Sequence, residues 1–235
     1  MKTYQNERGE YHRLNGPAVI RADGTTEWYK NDKLHRDGGP AVIWRDGYQA
    51  WYRKGQLHRA DGPAVVNTHG LEQWYRNGKL HRTDGPAIIT PDRSQQWYRN
   101  GRRHRPDGPA VILPNGLKQW YSKGLLHRTD GPAIIGSDGS KSWLINGLIH
   151  RDGGPAVTHL SGYRAWYQHN RLHRTDGPAV IDRDGTQSWY INDKLHRLDG
   201  PAIILPDGTQ GWYCNGAPVD DLTIMLLKYG TKEEA

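Results

Sequence analysis

The stretch Leu80-His81-Arg82-Thr83-Asp84-Gly85-Pro86-Ala87-Ile88-Ile89 returns in almost the same words along the whole chain. Prolines preceded by Gly stand at Pro17, Pro40, Pro63, Pro86, Pro109, Pro132, Pro155, Pro178 and Pro201, each 23 residues from the next. A histidine column from His12 to His196 and a tryptophan column from Trp28 to Trp212 keep the same step. A period in the twenties, held without a slip, marks an array of small supersecondary units. Each is too small to bury a core alone and is stabilised by stacking on its neighbours.

Outward from that stretch, each unit runs as a short apolar segment, a turn, a polar strand ending in Trp-Tyr, a second turn and a Leu-His-Arg strand. The first turn is clearest at Asp23-Gly24, Asp46-Gly47, Asn115-Gly116, Asp138-Gly139, Asp184-Gly185 and Asp207-Gly208, the second at Asn77-Gly78, Asn100-Gly101, Asn146-Gly147 and Asn215-Gly216. Asn-Gly and Asp-Gly tolerate the positive φ of type I′ turns, so both predict two-residue β-hairpins. Proline has no N–H for a ladder, so Asp-Gly-Pro predicts a bend in a long strand. Two strands per unit at ~4.8 Å each would carry nine units over roughly 85 Å. The expected fold is all-β: an elongated, twisted array of tandem β-hairpin repeats, with a short C-terminal capping helix. Residues 1–16 read as an N-terminal half-repeat cap, 17–216 as the array and 217–235 as capping helix and tail. The helix is predicted from Leu222, Met225, Leu226 and Tyr229, spaced i, i+3, i+4 and i+7.

Composition narrows the core. Mean hydropathy is −0.89 and Phe is absent, so ten Trp, thirteen Tyr and the Ala/Val/Ile runs are expected to supply the buried surface. A single cysteine, Cys214, excludes an internal disulfide framework and points to a reducing compartment. No apolar run approaches the ~20 residues of a membrane span, and residues 1–7 hold no signal-length apolar stretch. The expectation is a soluble cytoplasmic protein without a transmembrane segment.

The unit Trp74-Tyr75-Arg76-Asn77-Gly78-Lys79-Leu80-His81-Arg82 resembles the MORN repeat, a 23-residue hairpin unit with Trp, a turn Gly and a His near the same offsets. This chain continues His-Arg-x-Asp-Gly-Pro-Ala where MORN units usually continue His-Gly-x-Gly. That variant is similar to repeat arrays of large bacteriophages and giant DNA viruses. The resemblance implies a virus-encoded scaffold acting in the host cytoplasm, for protein contacts, self-association or acidic phospholipids, without a cofactor.

Nine column histidines invite a metal reading, which spacing rejects. Zinc ligands sit ~2.0 Å from one ion, whereas equivalent residues of successive two-stranded units lie about 10 Å apart. The histidines are expected to pack beside Trp and hydrogen-bond the bend. The arginine column, Arg13 to Arg197, is expected to pair with the bend Asp or backbone carbonyls and to stack on indole faces. No nucleophile-base-orienter set, phosphate loop or carboxylate pair stands apart from the repeat, so no catalytic residue is assigned.

Function is sought where the repeat varies. Two residues after each Trp come Lys30, Arg53, Arg76 and Arg99, then Ser122, Ile145, Gln168, Ile191 and Cys214. Arg102 and Arg103 join this basic stripe, with Lys33, Lys54 and Lys79 close by. Net charge is +8 over residues 1–120 and −1 over 121–235. Farther on, Leu125, Leu126, Ile145, Leu148 and Ile149 place apolar groups in columns that elsewhere carry charge. The leading expectation is a binding scaffold that engages a host protein, steered by the basic half and anchored by the apolar patch. The alternative is a polyanion held by the basic half: nucleic acid, an acidic lipid head group or a nucleotide.

Overall fold

In the computed structural model, which describes residues 1–220 and Thr223, every named element among the described residues is a β-strand two residues long. The expected capping helix lies outside the described residues. Strands are short because Gly-Pro closes each apolar run on one side and a turn closes it on the other.

The chain forms two units, one built from Met1–Asn115 with Trp120–Gly124, the other from Gly116–Gln119 with the described residues from Leu125 onward. Each is an antiparallel ladder in chain order. In the first, Val65 lies opposite Gln73 within a repeat, and Gln73 opposite Ile88 of the next. In the second, Ile134 faces Ser142, which faces Val157. A repeat holds four strands where two were expected, since Tyr75–Arg76 and Lys79–Leu80 pair as a separate side hairpin. Trp74 makes the change of sheet. Its N–H donates to Ala87 O in the ladder at 2.8 Å, while its carbonyl accepts the His81 N–H at 3.0 Å and closes the side hairpin.

The two turns differ in kind. At Asn77-Gly78 both residues have positive φ, 50° and 73°, the expected type I′ geometry. At Asp23-Gly24 only the glycine does, with φ of 91°. The Asp23 carboxylate accepts the Thr25 N–H at 2.9 Å, and Gly24 N–H closes a turn on Arg21 O at 3.2 Å. That self-bonding keeps Asp out of the left-handed region, so the turn is type I followed by a left-handed Gly, correcting the type I′ expectation.

The core is narrower than composition suggested. The alanine after each Gly-Pro, such as Ala41, Ala64 and Ala87, is fully buried, as are Val19, Val42 and Val65 nearly so. The column tryptophans are only half-buried. Seven of them, Trp28, Trp51, Trp74, Trp97, Trp143, Trp166 and Trp189, are instead each roofed by an arginine. Arg82 Cζ stands 4.0 Å above the Trp74 ring, Arg59 4.2 Å above Trp51, and in the second unit Arg174 4.1 Å above Trp166. The roof is locked in its own plane: Arg82 Nη1 donates to Pro86 O at 3.2 Å and Nε to Asp84 Oδ1 at 3.1 Å. The Asp-Gly-Pro bend is therefore a loop wrapped around a guanidinium. Gly85 is there for space, since a Cβ on it would stand 2.9 Å from Arg82 Cζ. In the N-terminal half-repeat, Tyr4 takes the place of Trp, with Arg13 3.9 Å above its ring.

Two outcomes are expected. Gly85→Ala and Arg82→Ala should each lower stability by about 1–3 kcal/mol, and the double variant should lose clearly less than the sum, because the new methyl then meets no guanidinium; urea denaturation of the four chains measures the coupling. Hydrogen bonds from Arg59, Arg82, Arg128 and Arg174 hold the Asp61, Asp84, Asp130 and Asp176 carboxyls below their ordinary value of 3.8. A depressed carboxyl stabilises the fold above its unfolded value, and the contribution is lost as pH falls through the folded one. The melting temperature should therefore drop as pH falls below about 4, and Asp84→Asn should flatten part of that fall while lowering stability at neutral pH.

Candidate binding surfaces

The side hairpins carry the variable residues, and backbone groups hold them in place. A two-residue type I′ tip leaves the N–H groups of its turn without partners inside the hairpin, and such groups must bond elsewhere. At 77–78 both go to the preceding repeat: Gly78 N–H donates to Leu57 O at 2.8 Å and Asn77 N–H to His58 Nδ1 at 3.2 Å. The column histidine thus bonds the turn of the following repeat, where its own bend was expected. The bond recurs from Lys54 to His35 at 3.1 Å and from Asn100 to His81 at 3.2 Å, and in the second unit from Asn146 to His127 and Asn215 to His196, both at 3.1 Å.

This docking uses main chain, so the outward residues beside each tip are free to vary. In the first unit Lys30 lies directly opposite Lys33, Arg76 opposite Lys79 and Arg99 opposite Arg102, while Arg53 faces Gln56. All eight are exposed. Among the described residues none of the seven cations forms an ion pair within the chain. Like charges directly opposite destabilise a strand pair, so these positions are set against the fold's own interest. Equivalent residues of successive repeats are two ladder strands apart, about 10 Å.

Between successive bends the first unit has shallow polar grooves. One, of about 770 Å³, is lined by Arg53, Arg76 and the bend carboxylates Asp61 and Asp84; another, of about 470 Å³, takes in Arg99 and Asp107. The bend carboxylates are already engaged by Arg59, Arg82 and Arg105 at 3.1–3.3 Å. The uncompensated charge at the grooves is that of Arg53, Arg76 and Arg99. Lys30 lines a smaller groove of the same kind near Arg36 and Asp37.

Not every stripe residue reaches this surface. Arg103 stands in the column that elsewhere holds Leu and is half-buried: its Nε donates to Tyr98 Oη at 3.1 Å, its Nη2 to Gln96 Oε1 at 3.3 Å, and its Cζ lies 5.4 Å from the Tyr121 ring centroid. In the second unit the apolar set divides likewise. Leu125 and Leu148 are 52% and 38% exposed, with Ile145 directly opposite Leu148. Leu126 and Ile149 occupy the Leu column and are half-buried. His169, outside the histidine column, breaks the turn pattern, standing where other repeats have Asn or Lys; it faces His150.

Compared with known proteins, the chain matches no family model and no curated protein. Among the described residues no helix is long and apolar enough to cross a membrane.

The opposed cations carry a direct test. Lys79→Glu places opposite charges across the 75–80 hairpin and should raise stability by about 0.2–1 kcal/mol at low salt. The gain should shrink as ionic strength rises, which urea midpoints at several salt concentrations would register.

Proposed function

We propose that the chain is a non-enzymatic, virus-encoded binding scaffold of the MORN-like kind, which engages a host macromolecule, a protein, through the outward positions of its side hairpins. One observation supports this reading above others. The repeated Trp, Arg, His, Gly and Ala are consumed in holding the repeats together, while the outward hairpin positions change from repeat to repeat and are exposed or half-buried. Leu125, Ile145 and Leu148 would supply apolar anchoring. Lys30, Arg53, Arg76, Arg99 and Arg102 would supply electrostatic steering.

A second reading, binding of a polyanion by the first unit, is favoured by a specific feature. The pairs Lys30/Lys33, Arg76/Lys79 and Arg99/Arg102 repel within the free chain, and an anionic group seated over each pair would relieve that repulsion.

Partner capture by the full chain at low and high salt separates the two, using one variant with Lys30, Arg53, Arg76 and Arg99 changed to Ser and another with Leu125 and Leu148 changed to Ser. Under the protein reading, a partner persists at high salt and is lost with the leucines. Under the polyanion reading, binding fails at moderate salt, and the quadruple variant lowers the slope of log affinity against log salt by roughly 3. A variant in which a single histidine change abolished a turnover without unfolding the array would sink both.

A further inference from the structure

The break at His150 is the only place among the described residues where a buried side-chain nitrogen or oxygen has no hydrogen-bond partner. Its column mates bond the tip of the next hairpin, and His35 is the closest comparison. His35 Nε2 lies 3.4 Å from Asp37 Oδ1 and its Nδ1 accepts the Lys54 N–H at 3.1 Å. His150 repeats the first half of that arrangement, with Nε2 3.5 Å from Asp152 Oδ1. The second half is missing. The tip at 169–170 has two non-glycine residues in left-handed conformation, with φ of 51° and 69°. Asn170 N–H donates to Ile149 O at 2.9 Å and Asn170 Oδ1 accepts the Ile149 N–H at 2.6 Å. The Nδ1 of His150 receives no donor, and the His169 ring lies over it, 4.4 Å between centroids and inclined by 36°.

The comparison with the repeat beginning at His173 shows what is unusual. There the tip also lacks glycine, and Asn192 Oδ1 lies 3.1 Å from His173 Nδ1. Position 169 replaces that amide with a second imidazole on the exposed rim of the hairpin. A carboxylate beside Nε2 fixes the proton there and leaves Nδ1 as a lone-pair donor, the arrangement in which an outer carboxylate orients a metal-bound histidine.

We propose that His150 and His169 form a binding site for a borderline divalent cation, Cu²⁺ or Zn²⁺, with Nδ1 of His150 and the His169 imidazole as the protein ligands and water completing the shell. Imidazole suits these ions, and the affinity order of first-row metals places Cu²⁺ first. Asp152 acts as a positioning residue through Nε2. Column histidines elsewhere are disqualified because a backbone N–H or, at His173, the Asn192 side-chain amide of the next tip already occupies their Nδ1. The inference is independent of the partner proposed above, since it concerns one turn of the second unit.

The test uses the full chain, Cu²⁺ alone as probe, and His169→Asn, which restores the residue present at positions 31, 77, 100, 146, 192 and 215 and so should keep the fold. Titration followed by electron paramagnetic resonance should show a first equivalent of Cu²⁺ with two imidazole nitrogens in the parent chain. His169→Asn should lose that signal and bind at least ten-fold more weakly, at an unchanged or higher melting temperature. Asp152→Asn should weaken binding about ten-fold while keeping two nitrogens. Equal Cu²⁺ affinity in parent and His169→Asn, or a first equivalent with fewer than two imidazole nitrogens, would overturn the site.

Discussion

The arginine laid on the column tryptophan, repeated at seven of them, is the contact on which the rest of the fold depends. A guanidinium is flat and weakly hydrated, so one face can cover an indole while the N–H groups in its plane remain free to donate. Arg82 does both, covering Trp74 and bonding Pro86 O and Asp84. Arg21 is put to another use, meeting the buried Glu27 carboxylate at 2.6 Å. A polar chain with no phenylalanine thereby shields its large aromatic surface without a deep interior. The fully buried layer can then be as thin as one alanine per repeat, joined in four repeats by a nearly buried valine.

The same contact explains residues that look like turn formers. Gly85 and its equivalents have no positive φ; a Cβ on any of them would fall 2.8–3.2 Å from an arginine Cζ. Once the bend is wrapped around its arginine, the next side hairpin is presented at a constant height, and its tip meets the histidine and leucine of the repeat before. Because that meeting uses amides and carbonyls, the outward side chains contribute little to it. Charge repulsion at Arg76 and Lys79 can be borne there, as can exposed leucine at 125 and 148.

Much of this was legible in the sequence. The 23-residue step, the hairpins, the Asn-Gly tips and the pairing of Arg with Trp and Asp all follow from residue types whose preferences are local. What escaped depended on neighbours in space. The alternation at Trp74 between ladder and side hairpin is invisible to periodicity, since both sheets share one repeat length. The histidine's target lies in the following repeat, 19 residues on, so reasoning within one unit pointed it at its own bend. Arg103 read as surface charge because the stripe around it was charged, yet its position belongs to the inward Leu column. Leu126, Ile145 and Ile149 were read alongside Leu125 and Leu148 for the same reason, yet they are half-buried.

The docking of each tip on the repeat before it also bears on how such a chain folds. Proteins built wholly of strands usually fold slowly, because their pairings join residues far apart and the entropy of closing long loops comes before any reward. Here the tip bonds span 19 residues and each ladder strand pairs with the next ladder strand, at most one side hairpin away in sequence, so contact order resembles that of helical bundles. Folding can begin at any pair of adjacent repeats and spread outward by adding one hairpin at a time. An emerging chain would consolidate repeat by repeat during synthesis, with no more than one unfinished edge waiting at its growing end.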